Sequence, residues 1–377
     1  MSESQKDPAV QGYCHPRFEG TRKAFIDNFA ERGELGACAA LYLDGKPVVD
    51  LWGGSFDREG LHPWPKTGAA HTQSAIKALY ALAIHTLVDR GELSLDKPVA
   101  SYWKGFEQAG KETITVRQLV SHHAGLVYLD HAARGSGKDM AAVKKAFELQ
   151  APEWPPGTQG AYHSATIVPL FTIFVREATG RNIADVLREA VCKPLGLEIY
   201  PSARAEELAD AAPLQVDMSQ PTMRAVLDEK TNLGRAWRFM DPPPMVATTP
   251  PKVGNNYATA RAFARLSAAL ANGGELDGVR IASEAAVAEM SKLQWDQVCG
   301  LTGRQMRMAE GFFMTSKDAY LGPERSTFGG VGAGGVLFFA DPVRKLGFGY
   351  LPNLGYPASD LGPRCRALVD AAYAALA

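Results

Sequence analysis

Residues 74–91 read SAIKALYALAIHTLVDRG, and this stretch decides how the rest of the chain can fold. It is apolar nearly all round, which is typical of a helix that is buried on every side. Gly91 is a residue type that commonly follows the last turn of a helix. The sequence therefore predicts a buried helix over residues 74–90, with Ser74 at its start and Lys77 one turn further on.

The spacing of Ser74 and Lys77 is the first indication of chemistry. On a helix, residues three apart share a face, so the lysine amine lies near the serine hydroxyl. Burial lowers the pKa of a lysine toward neutrality, where the amine can accept a proton. Free N–H groups at the helix start can also stabilise an oxyanion. The alternative is a helix-capping serine with a lysine that reaches toward solvent.

The same Ser-x-x-Lys spacing occurs at two other places in the chain. Ser94-Lys97 lies in a loop that Pro98 prevents from continuing as a helix. Ser101-Lys104 runs into Gly105 and has no long helix behind it. Both are typical of surface turns, so Ser74 is the preferred nucleophile candidate.

Patterns at the two ends of the chain indicate one shared sheet. Residues 17–32 have the period of an amphipathic helix, and strands are predicted at 35–43 and 48–52. The Asp44-Gly45 pair between these strands is a strong hairpin signal. Late in the chain, a second pair of strands and a final helix are predicted. These late strands cover residues 336–339 and 346–351.

Between the two ends most of the pattern is helical. The predicted helices in this part cover residues 74–90, 116–122, 164–178, 182–191 and 258–271. The predicted fold class is α/β of the α+β type, an antiparallel sheet flanked by N- and C-terminal helices with a mostly helical inserted domain. Residues 1–70 and 246–377 are expected to form the sheet domain, and residues 71–245 the helical domain. The active site is expected in the cleft between them.

Composition argues against several classes of function. The 377 residues carry 40 Lys plus Arg and 41 Asp plus Glu, so the formal net charge of -1 favours neither nucleic acid nor an anionic membrane. No apolar stretch is long enough to span a membrane. The five cysteines are scattered and odd in number, which argues against a zinc site or a disulfide framework. No His-Glu-x-x-His motif occurs, and we expect no metal and no cofactor. The first residues lack a signal-peptide core, which favours a cytoplasmic location.

Two later motifs complete the constellation that Ser74 and Lys77 begin. Tyr162-His163-Ser164 precedes an apolar helical pattern, and a phenol beside an amine is a workable pair for proton transfer. Residues 328–336, FGGVGAGGV, are rich in glycine and enter a strand. Glycine at such a place allows a substrate to approach the strand edge closely.

In this order the three motifs resemble those of the serine β-lactamases, the penicillin-binding D,D-peptidases and the related family VIII carboxylesterases, in a class C-like arrangement. Residues 115–126 and 272–280 resemble further segments of the same family. The resemblance covers the chain from about residue 17 to its C-terminus. It implies a β-lactamase-like fold and a serine hydrolase.

The resemblance also implies roles for individual residues. Ser74 would be the nucleophile, and Tyr162, coupled to Lys77, would remove its proton. The backbone N–H groups of Ser74 and Ala333 would form the oxyanion hole. The residues expected to bind substrate are Ser164, Gly332, His163 and Tyr128.

One position departs from the family's pattern. The Lys or His that begins the third motif falls at Gly330, which argues against recognition of a substrate carboxylate and favours small, neutral carboxylic esters. Amidase, lactonase, acyltransferase or weak β-lactamase activity on the same fold stays open. So does a different class, a catalytically inactive receptor of the penicillin-binding type. The expected partner is a small-molecule ester or amide, and the oligomeric state is left open.

Overall fold

The computed structural model of the chain describes residues 10–216, 221–241, 243, 249–355 and 361–377. The strands, in chain order, are β1 (Gln11–Cys14), β2 (Gly36–Leu43), β3 (Lys46–Gly54), β4 (Ala70–His71), β5 (Ile199–Tyr200), β6 (Tyr257–Ala258), β7 (Glu275–Leu276), β8 (Val279–Arg280), β9 (Trp295–Val298), β10 (Gln305–Met308), β11 (Phe313–Met314), β12 (Phe328–Gly332), β13 (Val336–Asp341) and β14 (Leu346–Pro352). The helices are α1 (Glu19–Glu31), α2 (Ile76–Asp89), α3 (Val116–Val120), α4 (Met140–Leu149), α5 (Ile167–Thr179), α6 (Ile183–Leu187), α7 (Lys193–Leu195), α8 (Pro221–Leu227), α9 (Asn232–Trp237), α10 (Ala260–Ala271), α11 (Glu284–Met290) and α12 (Gly362–Ala374).

The two ends of the chain share one antiparallel sheet. Within the described residues it has nine strands in the order β1-β3-β2-β14-β13-β12-β11-β10-β9. Within this sheet β2 from the start of the chain pairs with β14 from its end, with Ala40 opposite Gly349. Asp44 and Gly45 have φ values of 47° and 75° and close the β2–β3 hairpin, as their sequence predicts. The predicted architecture, an antiparallel sheet between terminal helices with helices inserted in the middle of the chain, is confirmed.

Both faces of this sheet are covered. α1 and α12 pack on one face through an apolar cluster that includes Phe25, Leu41 and Leu368. α10 and the helices from the middle of the chain cover the other face, in a cluster that includes Leu82 and Phe338. Among the helices of the described residues, none has the length and apolar character that crossing a membrane requires.

α2 is the buried helix that the sequence predicts, but it begins differently. Gln73–Ala75 form one turn of 3-10 helix before the regular helix starts. Ser74 therefore stands in this turn rather than at the first residue of the α-helix. α2 is buried from its first residue to Leu87 and contacts α5, α6, α11 and β12. This packing keeps water away from the helix on nearly every side.

Several other elements differ from the sequence prediction. α5 begins three residues later than the predicted helix over 164–178, and the pattern over 182–191 becomes α6 followed by a π-helical turn at Arg188–Cys192. α4 and strands β9 to β11 were missed. These strands have four residues or fewer, so they depend on pairing with neighbours more than on a local pattern. The predicted domain boundary between 245 and 246 lies outside the described residues.

Gly349 determines how closely α10 lies on the sheet. A Cβ atom at this position would come within 2.8 Å of the Ala264 nitrogen and the Phe263 Cβ. We expect Gly349→Ala to push α10 away from β14 and to lower the free energy of unfolding by about 1–3 kcal/mol. Urea unfolding followed by circular dichroism measures this change. Gly20→Ala is the matched control, since nothing lies within 4 Å of a Cβ there. An unchanged urea midpoint for Gly349→Ala would contradict this packing.

Candidate active site

Ser74 stands in a constrained turn between β4 and α2. Gln73, directly before it, has a left-handed φ of 49°, a conformation that costs a non-glycine residue about 1 kcal/mol or more. The Gln73 N–H donates to Nδ1 of His71 at 3.0 Å. The Thr72 N–H donates to the carbonyl of Asn256 at 3.0 Å. These bonds hold the backbone just before Ser74 in one conformation.

The Lys77 side chain is hydrogen-bonded to the Ser74 hydroxyl. Its Nζ lies 2.7 Å from Ser74 Oγ and donates to it. Lys77 is only 6% exposed, and this burial lowers its pKa to about 7. Near pH 7 a large share of such amines is neutral, and a neutral amine can accept the serine proton along the same contact.

Tyr162 completes the group around the Ser74 hydroxyl. Its phenol interacts with Ser74, both residues line the same cavity, and the centre of the Tyr162 ring lies 5.2 Å from Lys77 Nζ. Burial raises the pKa of Tyr162 well above its usual value, and the interaction with Ser74 offsets only part of that rise. The phenol therefore keeps its proton near pH 7 and is able to donate it. The structure brings together the three side chains that the motifs single out.

Buried hydrogen bonds hold the loop that carries Tyr162. The Tyr162 N–H donates to Cys299 Sγ at 3.2 Å. The Ala161 N–H donates to the His122 carbonyl at 3.1 Å, and the His163 N–H donates to His122 Nδ1 at 3.0 Å. Burial lowers the pKa of His122 well below its usual value, so the ring is neutral and carries its proton on Nε2.

His163 lies in the core and does not point to the substrate side. Its Nδ1 is 2.6 Å from the Ala161 carbonyl, and its Nε2 accepts the Leu126 N–H at 3.0 Å. Burial lowers the pKa of His163 to about 4, so its ring is neutral and Nδ1 is the donor. Main-chain groups use both ring nitrogens. His163 therefore holds the Tyr162 loop and has no ring nitrogen left for the substrate contact expected from the sequence.

Ser164 and Tyr128, two more residues expected to bind substrate, are held by protein groups. Ser164 Oγ accepts a hydrogen bond from Trp237 Nε1 at 2.7 Å. The Arg235 guanidinium lies 3.7 Å from the centre of the Tyr128 ring, and it also binds the Asp130 carboxylate. Ser164 and Tyr128 are both buried. A direct role for either in substrate binding stays a prediction.

The end of β12 comes very close to the Ser74 turn. A Cβ atom at Gly332 would lie 2.9 Å from both the Thr72 carbonyl oxygen and the Gln73 Cβ. Ala333 follows at the start of one turn of 3-10 helix, Ala333–Gly335. Because Gly332 lies against Thr72 and Gln73, the backbone of the next residue, Ala333, lies beside the Ser74 turn. An oxyanion hole made of two backbone N–H groups needs such an approach.

Sequence reasoning missed part of the lining of this site. Met308, Gly311 and Phe313 line the cavity beside Ser74 and come from β10, β11 and the turn between them. An interrupted strand pattern across residues 305–314 is the signal that could have located them. Among the described residues that line the cavity, Lys77 is the one Lys, Arg, Asp or Glu. The described ranges contain no group of three or more His, Cys, Asp or Glu that could hold a metal ion.

Comparison with known proteins identifies the family of this chain. A family model described as Beta-lactamase matches residues 22–373. The Esterase/beta-lactamase LipL of Mycobacterium tuberculosis is 32% identical over 361 residues, which cover 91% of this chain and 83% of that protein.

Solved structures with the same fold are also similar in sequence. A family VIII carboxylesterase is 30% identical with a TM-score of 0.85, covering 97% of this chain and 99% of that one. A penicillin-binding protein homologue from Caulobacter crescentus is 33% identical with a TM-score of 0.87 and the same two coverages. The chain belongs to the beta-lactamase family, and the resemblance inferred from its three motifs is confirmed.

Gly332→Ala tests the close approach of β12 to the Ser74 turn. The added Cβ would press on Thr72 and Gln73 and move the two turns apart, and an oxyanion hole tolerates such a shift poorly. We expect labelling of Ser74 by a fluorophosphonate to slow about 100-fold. The urea midpoint, measured in parallel, should show that the variant is still folded under the labelling conditions, so that unfolding does not account for the slower labelling. Labelling at the wild-type rate would contradict the requirement for this approach.

Proposed function

We propose that this protein is a serine esterase that cleaves small, neutral carboxylic esters through an acyl-enzyme on Ser74. One observation carries the proposal: the Lys77 amine, whose pKa burial lowers to about 7, lies 2.7 Å from the Ser74 hydroxyl. A neutral amine at that distance is a general base in place for the serine proton. Membership of the beta-lactamase family and likeness to a family VIII carboxylesterase support ester hydrolysis.

In the acylation step, Lys77 takes the Ser74 proton as Oγ forms a bond to the ester carbonyl carbon. The family resemblance of the motifs implies that Tyr162, coupled to Lys77, takes this proton. The raised pKa of Tyr162 favours Lys77 as the base and the phenol as the acid that protonates the leaving alcohol. The N–H groups of Ser74 and Ala333 hold the oxyanion until the C–O bond to the alcohol breaks. The Lys77 ammonium then returns a proton to Tyr162, so both groups are restored.

The second step releases the acid. Water attacks the carbonyl of the acyl-enzyme and gives a proton to the neutral Lys77 amine, and the Ser74–acyl bond breaks as Ser74 regains a proton through Tyr162. The products are the carboxylic acid and the free enzyme. One proton leaves with the alcohol and one enters from water, and Ser74, Lys77 and Tyr162, which lie together in the site, relay both of them.

The preference for neutral substrates follows from the lining of the site. Apart from Lys77, the described residues of the cavity lining carry no Lys, Arg, Asp or Glu side chain, and Phe313, Val331 and Met308 make part of it apolar. A substrate carboxylate buried there would lose water and gain no second cation, which costs free energy. Neutral acyl groups avoid that cost.

Other activities use the same nucleophile and base. Amidase, lactonase and acyltransferase activities are alternatives of this kind. A weak β-lactamase activity is supported by one specific observation, the name Esterase/beta-lactamase of the similar protein LipL. A panel of esters, amides, lactones and β-lactams, with and without excess alcohol, ranks these activities. A catalytically inactive receptor would instead show no adduct on Ser74 by intact-mass spectrometry.

The setting of the enzyme is also part of the proposal. The five cysteines are all free, which supports a reducing, cytoplasmic location. The substrate is a small molecule. The two-part division into residues 1–70 with 246–377 and residues 71–245 is proposed as the frame of the site, because Ser74 and Tyr162 come from one part and Ala333 from the other.

Substitution of the three reacting side chains tests the assignment of roles. We expect Ser74→Ala to abolish turnover of p-nitrophenyl butyrate, and Lys77→Met and Tyr162→Phe each to lower kcat/KM by about 10³-fold or more. The second Ser-x-x-Lys pair provides the matched control, so Ser94→Ala combined with Lys97→Met should keep wild-type turnover. Full activity in Ser74→Ala would sink the proposal.

The pH dependence of kcat/KM tests the base. Below its pKa Lys77 is an ammonium and cannot accept a proton, so kcat/KM should rise with pH through an apparent pKa near 7 and then level off. Burial also raises the pKa of Glu310 to about 7, so Glu310→Gln is the control and should leave the midpoint unchanged. A midpoint that disappears in Glu310→Gln, or one near the usual value of an exposed lysine, would contradict Lys77 as the base.

A further inference from the structure

Gly330 and Phe338 form a directly opposed pair beside the reacting groups. Gly330 lies on β12 and lines the same cavity as Ser74 and Lys77. Its partner across the strand ladder is Phe338 on β13. Gly330 does not have the left-handed φ that favours glycine, so its backbone conformation is one that other residues adopt readily. Backbone geometry therefore does not explain why this position carries no side chain.

The Phe338 ring fills the space that a side chain at position 330 needs. A Cβ atom built on Gly330 would lie within 3.0 Å of three atoms of that ring. The other glycines of the strand differ, because a Cβ at Gly329 would overlap the Phe338 carbonyl and one at Gly332 would meet the carbonyl of Thr72. Of these three glycines, Gly330 is the one at which a Cβ atom would clash only with side-chain atoms and with no backbone atom.

The packing on the other side of Phe338 explains the position of the ring. Phe338 is opposed by Gly349 on β14, and α10 lies directly on that glycine, within 2.8 Å of where its Cβ would be. The Phe338 ring packs against Phe263 of α10, with 4.9 Å between the ring centres. Since α10 takes up the space over Gly349, the ring lies over Gly330. An aromatic ring that covers a glycine across a strand pair stabilises the sheet at that point.

We propose that Phe338 is a specificity-determining residue: its ring keeps position 330 free of any side chain and therefore keeps a second cation away from the acyl group. This inference rests on the proposed esterase function and names the charge of the substrates that the site accepts. Phe338 is itself buried, so it acts through Gly330 rather than by touching substrate. Removing the ring should make position 330 available to a side chain, and a cation placed there should attract an anionic acyl group.

Two matched double variants test this inference. Lys and Met have side chains of similar length, so Gly330→Lys with Phe338→Ala is compared with Gly330→Met with Phe338→Ala. The substrates are mono-p-nitrophenyl adipate, with an anionic acyl group, and p-nitrophenyl hexanoate, with a neutral one. We expect the adipate-to-hexanoate ratio of kcat/KM to be about tenfold higher or more in the lysine variant, as a charge-assisted hydrogen bond implies. Equal ratios in the two variants would overturn the proposal.

A stability cycle tests the steric part even where a double variant folds poorly. Gly330→Ala should lower the urea midpoint in the wild-type background and lower it less in the Phe338→Leu background, where the ring is absent. An equal shift in both backgrounds would overturn the claim that the ring excludes a side chain.

The proposed function and this inference fail in different ways. Without a nucleophile at Ser74, no variant turns over hexanoate and none forms an acyl adduct. If only the inference fails, hexanoate turnover persists and the ratio does not respond to the lysine.

Discussion

A lysine amine buried against a serine hydroxyl is the interaction on which the rest of this structure depends. Water would hold Lys77 as an ammonium, and the apolar α2 helix, packed against α5, α6, α11 and β12, removes that water. The resulting fall of the pKa from 10.5 to about 7 corresponds to roughly 5 kcal/mol of destabilisation below pH 7. That penalty fades as the pH rises toward 10.5, because the unfolded chain then loses its proton as well. The burial that makes Lys77 a base near pH 7 therefore lowers the stability of the folded protein. The apolar packing of α2 offsets this loss of stability.

The surroundings of this pair are polar but uncharged. His122 and His163 join the Tyr162 loop to the segment after α3 by hydrogen bonds, and burial lowers the pKa of both rings so that they stay neutral. Neutral neighbours hold the phenol in place without adding a cation that would repel a protonated Lys77. β12 contributes Gly330 to the lining of the site, and the Phe338 ring covers this glycine. Among the described residues of the cavity lining, the absence of charged side chains around Lys77 means that no nearby ion pair holds it as an ammonium. It also means that this lining has no other charged partner for a charged substrate, which favours neutral substrates.

The sequence predicted those parts of the molecule that local chemistry determines. The Asp44-Gly45 hairpin, the buried α2 helix and the order of the three motifs could be inferred because turn residues, apolar periodicity and motif spacing act over a few positions. Strands β9 to β11, which bring Phe313 and Met308 to the site, are short and interrupted, so their sequence pattern is weak and they form by pairing with their neighbours. The burial of His163 and the ring over Gly330 were also out of reach, since each depends on contacts between residues distant in sequence.

The most direct test of this account is the pKa of Lys77 itself. Nuclear magnetic resonance of protein labelled with ¹³C at lysine Cε, with the signal assigned by Lys77→Arg, follows the protonation of this one amine as the pH changes. The account predicts a midpoint near 7, as burial beside Ser74 requires. A midpoint close to 10.5, the ordinary value for an amine in water, would contradict it.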